Sequence, residues 1–80
     1  MYWVYILKCR DGSLYTGITP DIERRLTQHQ AGTGAKYTRG RGPVRLLYEE
    51  SYPDRSSASK RENQIHRWSR EKKLQLIKGA

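Results

Sequence analysis

A tight-turn signal between two short runs of aromatic and β-branched residues is the strongest constraint on the fold of this chain. Residues 2–9 are rich in Tyr, Trp, Val and Ile, side chains that suit a pleated and half-buried surface. The dipeptide Asp11-Gly12 follows, and glycine adopts the positive φ of a tight turn without steric cost. Residues 14–18 provide a return strand, so the sequence predicts an N-terminal β-hairpin.

The length of the hairpin loop decides which side chains share a face. A two-residue loop at Asp11-Gly12 places Tyr5 and Tyr15 on opposite faces, because side chains alternate along each strand. A three-residue loop over residues 10–12, with its glycine in a left-handed bulge, places both tyrosines on one face. We expect the three-residue loop, since the two tyrosines need a common face to form a site.

A first helix is predicted over residues 20–30, with Thr19 as its candidate cap. At about 100° per residue, Arg25 and His29 share one face near the sheet, whereas Arg24 points toward solvent. Arg25 and His29 can each be explained by a structural role alone. Arg25 suits an ion pair at the edge of the core, and His29 suits a cation at the helix C-terminus.

A basic, glycine-rich segment follows this helix. Residues 31–43 contain four glycines and one proline, which predict a loop. Its cationic and aromatic side chains are Lys36, Tyr37, Arg39 and Arg41. Cations that follow a phosphate backbone, with an aromatic ring for stacking, suit a nucleic-acid surface. The alternative is a flexible connector, although a loop of this length in so small a domain favours a function.

The rest of the chain supplies a third strand and two more helices. Residues 44–50 alternate, which predicts a strand with Val44, Leu46 and Tyr48 on its apolar face. The order strand, strand, helix, strand, helix, helix predicts an α+β fold, in which helices flank a three-stranded antiparallel sheet. The first strand is the most apolar and is expected at the centre. We expect one domain over residues 1–80.

Capping residues define the two C-terminal helices. Asp54 is the candidate cap of the second helix, which is expected to end near residue 67. Ser69 is the candidate cap of a short last helix over residues 70–77, with Leu74 and Ile77 packed inward.

One acidic side chain of the second helix needs a special explanation. Glu62 lies on the apolar stripe between Ala58 and Ile65. An unpaired carboxylate on such a stripe is costly, so it must be paired, bound to metal or placed at the lip of a cleft. An ion pair with Arg25 or Arg61 is one interpretation, and a divalent-metal ligand is the other.

The charge balance favours an anionic partner. The chain has 16 Lys and Arg against 8 Asp and Glu, a formal net charge of +8 at pH 7. On a small domain this excess favours nucleic acid over a membrane surface, with a merely soluble basic protein as the alternative. A single cysteine, Cys9, excludes an internal disulfide, and no Cys and His residues have zinc-site spacing. Without a signal peptide or a membrane-spanning run, we expect a cytoplasmic protein.

The paired tyrosines also carry a family resemblance. Trp3-Val4-Tyr5 and Tyr15-Thr16-Gly17 resemble the two halves of the GIY-YIG nuclease motif, with Trp3 at the family's first glycine. The resemblance continues through Arg25, His29 and Glu62, and through the glycine-rich loop. It covers nearly the whole chain and is closest to the small single-domain bacterial members of the UPF0213 or YhbQ-like type.

The resemblance implies a metal-dependent endonuclease that hydrolyses phosphodiester bonds in DNA, directed by DNA structure and linked to repair or processing. It implies that Glu62 holds one Mg²⁺ or Mn²⁺ ion and that Arg25 contacts the scissile phosphate. Tyr15 would position or activate the water, with His29 as the alternative base, and Tyr5 and His29 would complete the proton relay. The family's C-terminal site asparagine is replaced here by Leu74.

Two other functions fit the same residues. A non-catalytic module that binds DNA or RNA needs the basic loop but not Glu62. An RNA- or ribosome-associated basic protein would prefer RNA and leave DNA uncut. Under the nuclease interpretation we expect a monomer that binds DNA weakly through its backbone or shape, or takes its specificity from a protein partner.

Overall fold

The computed structural model describes residues 1–34 and 38–79, and in these ranges it contains three strands and three helices. In chain order they are β1 (Tyr2–Lys8), β2 (Leu14–Thr19), α1 (Ile22–Gln30), β3 (Arg45–Tyr52), α2 (Arg55–His66) and α3 (Arg70–Gly79). The sheet has the order β2-β1-β3, and both pairings are antiparallel. The predicted α+β fold and the central first strand are therefore confirmed.

The hairpin has the three-residue loop that the sequence predicts. The backbone N–H of Gly12 donates to the carbonyl of Cys9 at 2.9 Å, and Gly12 has a φ of 86°. In the resulting register Tyr5 lies opposite Gly17. Tyr15 is two residues from Gly17 and so points to the same face as Tyr5.

The third strand contains a bulge that the alternating pattern did not predict. Along β1, Ile6 pairs with Tyr48 but Leu7 pairs with Leu46, so β3 has one extra residue at this point. The expectation that Val44, Leu46 and Tyr48 share one face is therefore wrong. Leu46 packs on the cluster that contains Leu7 and Val44, whereas Tyr48 packs on the cluster that contains Ile6.

These two clusters lie on opposite faces of the sheet. On one face, the side chains of α1 cover Tyr5, Leu7, Cys9 and Val44. On the other face, α2 and α3 cover a cluster of Val4, Ile6, Ala58 and Ile65. From α3, Leu76 and Ile77 pack against this second cluster, whereas Leu74 is 38% exposed. The prediction for Ile77 is confirmed and that for Leu74 is wrong.

Helix caps follow the expected chemistry with one shift. The side chain of Asp21, not Thr19, caps α1 by accepting the backbone N–H of Arg24 at 3.1 Å. Thr19 still pairs within the sheet, so α1 begins two residues later than predicted. Asp54 and Ser69 cap α2 and α3 as expected. No helix in the described ranges is long and apolar enough to traverse a lipid bilayer.

Candidate active site

Three rings form the centre of the candidate site, on the face of the sheet that α1 covers. The ring centroids of Tyr5 and Tyr15 are 6.3 Å apart, and that of His29 lies 5.9 Å from Tyr5 and 5.4 Å from Tyr15. The hairpin register supplies the two tyrosines, and the last turn of α1 supplies the histidine. Sequence-distant residues therefore meet because α1 packs across the hairpin.

Gly17 makes the approach of the two tyrosine rings possible. A Cβ atom at this position would lie 2.6 Å from the Tyr5 hydroxyl oxygen and 3.0 Å from Cε2 of Tyr15. Both distances are too short for carbon, so any side chain here would displace Tyr5 or Tyr15. The glycine of the second motif triplet thus has a steric role next to the site.

His29 is held on both sides by hydroxyl groups. Its Nε2 lies 3.0 Å from the Tyr5 hydroxyl, and its Nδ1 lies 2.6 Å from Oγ1 of Thr38. Burial, and then the charge of Arg25, lower the pKa of His29 below its ordinary value. The imidazole is therefore neutral at neutral pH, which does not support the interpretation of His29 as a helix-end cation.

Arg25 lies at the same centre and has no acidic partner in the described ranges. Its positive charge acts to lower the pKa values of Tyr5, Tyr15 and His29 together. The ion pair with Glu62 considered from the sequence is absent from the described part of the chain. Arg24, its neighbour, is exposed as predicted. A half-buried guanidinium without a carboxylate beside it is available to bind an anion.

The charge of Glu62, on α2, acts on both tyrosines. Burial raises the pKa of both Tyr5 and Tyr15, and the negative charge of Glu62 contributes to both shifts. The Glu62 side chain is 22% exposed, and its Oε2 lies 3.8 Å from Nε2 of His66. The alternative partner Arg61 instead donates to Glu50 at 2.6 Å. Glu62 is thus a partly exposed carboxylate whose charge acts on the tyrosine cluster.

The donor set fits a metal held by a single protein carboxylate. Within residues 1–34 and 38–79, no three His, Cys, Asp or Glu side chains converge on one point. Mg²⁺ commonly binds through one or two carboxylates, with water and substrate phosphate completing its shell. Glu62 is the carboxylate whose charge acts on both tyrosines, so it fits such an ion.

The basic loop is only partly described. Of the four residues predicted to bind nucleic acid, Lys36 and Tyr37 lie outside the described residues. Arg39 is exposed, and Arg41 pairs with Asp11 at 3.4 Å. The carbonyl of Arg41 also accepts the backbone N–H of Arg10 at 2.8 Å. The end of the loop is therefore attached to the turn of the hairpin.

Two residues beside His29 were missed by the sequence analysis. Thr38 is 1% exposed and contacts Nδ1 of His29. A Cβ atom at Gly34 would lie 2.5 Å from that same nitrogen, so the loop backbone approaches the imidazole closely. Neither residue belongs to a periodic pattern. The glycine-rich basic segment contains two threonines, Thr33 and Thr38, and no local feature of the sequence marks Thr38 as the one that contacts His29.

Comparison with known proteins agrees with this geometry. The GIY-YIG catalytic domain model matches residues 1–75. A UPF0213 protein of Staphylococcus saprophyticus is 54% identical over 76 residues, 95% of this chain and 93% of the relative. A UPF0213 protein of Haloquadratum walsbyi is 56% identical over 75 residues, 94% of this chain and 84% of the relative.

Solved structures give the same result. The solution NMR structure of a UPF0213 protein from Bacillus halodurans has a TM-score of 0.63 and 49% identity, covering 98% of this chain and 84% of that one. A solution NMR structure of a protein from E. faecalis has a TM-score of 0.66 and 44% identity, covering 98% and 83%. With its tyrosine pair, its steric glycine and these relatives, the chain belongs to the GIY-YIG family.

Proposed function

We propose that this protein is a metal-dependent endonuclease that hydrolyses phosphodiester bonds in DNA. One observation carries the proposal: the rings of Tyr5, Tyr15 and His29 form one cluster, and Arg25 lines the same small cavity as Tyr5. The charges of Arg25 and Glu62 both act on the pKa values of the two tyrosines. Phosphodiester hydrolysis needs a cation for the phosphate, a metal ligand and hydroxyl groups that hold water. Family membership supports nuclease-type chemistry in general.

Arg25 and Glu62 have complementary roles in this proposal. The guanidinium of Arg25 binds the scissile phosphate through its fork of N–H donors. Glu62 would hold one Mg²⁺ or Mn²⁺ ion. Such an ion supplies charge stabilisation to the phosphate oxygens when it is bound. Arg25 belongs to α1 and Glu62 to α2, and the charges of both act on Tyr5 and Tyr15, so the phosphate would bind beside these two tyrosines.

Tyr15 holds the attacking water, and His29 holds the hydroxyl of Tyr5 in place. Burial raises the pKa of Tyr15, so its hydroxyl is protonated in the free protein and positions the attacking water by hydrogen bonding. Arg25, together with a bound divalent cation, would lower the pKa of Tyr15, so that its phenolate could accept the proton of the attacking water, while the leaving oxygen would take a proton from solvent. His29 is neutral, but its contact with the site runs through the Tyr5 hydroxyl 3.0 Å away. Tyr5 and His29 are therefore hydrogen-bonded to each other, and the rings of both contact the ring of Tyr15.

Backbone contacts, rather than base contacts, suit the substrate. A net charge of +8 supports binding to phosphates, and phosphate contacts carry no sequence information directly. We therefore infer recognition of DNA structure, such as junctions, flaps or single strands, as in repair or processing. A protein partner would supply any further specificity to the monomer.

Cleavage of labelled duplex, single-stranded, flap and junction DNA with Mg²⁺ or Mn²⁺ tests the proposal. Arg25→Ala and Glu62→Ala should abolish cleavage, while Glu62→Ala retains binding. Arg24→Ala is the matched control for Arg25→Ala, because it removes the same charge from the adjacent exposed position. Arg24→Ala should weaken DNA binding by the contribution of one phosphate contact and leave the cleavage rate of bound DNA unchanged.

Salt-sensitive binding without cleavage of any substrate would reject the nuclease. That result would favour the binding module. Preference for an RNA competitor in the same assay would favour an RNA-associated protein. Steep salt dependence alone separates none of these, since each requires phosphate contacts.

A further inference from the structure

A buried threonine lies behind the candidate catalytic chain. Thr38 Oγ1 is 2.6 Å from Nδ1 of His29, and both residues are 1% exposed. On the opposite side of the ring, Nε2 is 3.0 Å from the Tyr5 hydroxyl. The imidazole thus has a hydroxyl group at each nitrogen, within a site that excludes bulk water from both contacts.

The two ring nitrogens of His29 must play opposite roles in their hydrogen bonds. A neutral imidazole has one N–H donor and one acceptor nitrogen, whereas each hydroxyl both donates and accepts. If Nδ1 carries the proton, it donates to Thr38, and Tyr5 donates its own proton to Nε2. If Nε2 carries the proton, it donates to Tyr5, and Thr38 donates to Nδ1. The low pKa of His29 favours the neutral ring that both arrangements require.

The shorter of the two distances favours one of these arrangements. Hydrogen bonds from a hydroxyl are typically about 2.7–2.8 Å long, whereas those from N–H groups are about 2.9–3.0 Å long. The 2.6 Å separation at Thr38 matches a hydroxyl donor. The 3.0 Å separation at Tyr5 fits either kind of donor. The short contact at Thr38 therefore favours a proton on Nε2.

We propose that Thr38 is a positioning residue: its hydroxyl donates to Nδ1 of His29, keeps the imidazole proton on Nε2, and so leaves the Tyr5 hydroxyl proton free to point into the site. The catalytic meaning of this assignment rests on the proposed nuclease function. With its oxygen occupied by Nε2–H, Tyr5 is a hydrogen-bond donor toward Tyr15 and substrate. A donor aimed at oxygen that gains negative charge stabilises the transition state.

The assignment also determines which side chains of the site can accept a proton. In the resting protein Nε2 of His29 already carries a proton, so it cannot accept one from Tyr5. Tyr15, which lies beside both rings, is then the group that contacts the attacking water. His29 and Thr38 act through Tyr5 and touch no substrate.

Nitrogen-15 NMR of histidine-labelled protein tests the assignment without any activity. The exposed His66 is the other histidine, and His66→Gln identifies its signals. In the wild type we expect a protonated Nε2 and a hydrogen-bonded, unprotonated Nδ1 for His29. Thr38→Ser should preserve this pattern. Thr38→Val should shift the Nδ1 resonance, since it removes the hydroxyl and keeps the shape.

Two results would overturn the proposal: a proton on Nδ1 in the wild type, or an Nδ1 resonance that is unchanged in Thr38→Val. If Thr38→Val does not fold, the wild-type tautomer still decides. In DNA cleavage, Thr38→Val should lower kcat by about tenfold or more at unchanged KM, with recovery in Thr38→Ser. A protein that cuts no DNA would refute the proposed function, while the NMR tautomer would still decide the role of Thr38.

Discussion

Substitution of Gly17 by alanine should destabilise the protein through the tyrosine pair. The added Cβ would lie 2.6 Å from the Tyr5 hydroxyl oxygen and 2.8 Å from its Cζ. Tyr5 cannot move aside freely, because it is 3% exposed and its hydroxyl lies 3.0 Å from Nε2 of His29. Overpacking of this kind costs about 1–3 kcal/mol. In a domain of this size, Gly17→Ala should therefore lower Tm by roughly 5–20 °C.

Thermal unfolding followed by circular dichroism measures this loss, and a double-mutant cycle identifies its origin. Tyr5→Phe removes the atom nearest to the new methyl group, so Gly17→Ala should cost less in that background. Gly79→Ala is the control, because a Cβ there meets no atom within 4 Å. It should change stability by less than about 0.5 kcal/mol. An equal cost of Gly17→Ala with and without the Tyr5 hydroxyl would refute the steric argument.

Three further perturbations test other parts of the account. Burial lowers the pKa of His29 below the unfolded value near 6.5, so the unfolded state binds more protons between the two values. Stability in urea should fall as pH drops below about 6.5, and His29→Gln should remove that component. Asp54→Ala should cost about 1 kcal/mol in the same assay, because it removes the cap of α2; no loss would contradict the cap. Glu50→Ala should cost about 2 kcal/mol, because it leaves Arg61 without its 2.6 Å partner, whereas the exposed Glu49 should tolerate alanine. Equal effects at the two glutamates would contradict that role.

Local signals in the sequence were sufficient for the hairpin and most caps. Asp11-Gly12 permits a bulged turn, and Gly12 adopts the required positive φ. The bulge in β3 was missed because no residue of β3 marks it, and pairing with β1 determines its position. Leu74 was placed inward by helical spacing alone, whereas the rotation of α3 on the sheet packs Leu76 against the core beside the correctly predicted Ile77.

Only the site residues that belong to the family motif could be predicted from the sequence. Tyr5, Tyr15 and His29 follow from the resemblance, and the structure brings their rings together. Thr38 could not be predicted, because its contact with His29 depends on the tertiary packing of Thr38 against α1. A hydrogen bond between residues nine positions apart leaves no periodic signal in the chain.

The most direct test of the central claim compares wild type with Glu62→Gln in single-turnover cleavage of one DNA substrate. The substitution keeps the shape of the side chain and removes the charge that would hold the metal. DNA binding is measured under the same salt and Mg²⁺ concentrations. The account predicts that the variant binds as the wild type does and cleaves at least about a hundredfold more slowly at every Mg²⁺ concentration. Cleavage by Glu62→Gln at the wild-type rate would contradict it.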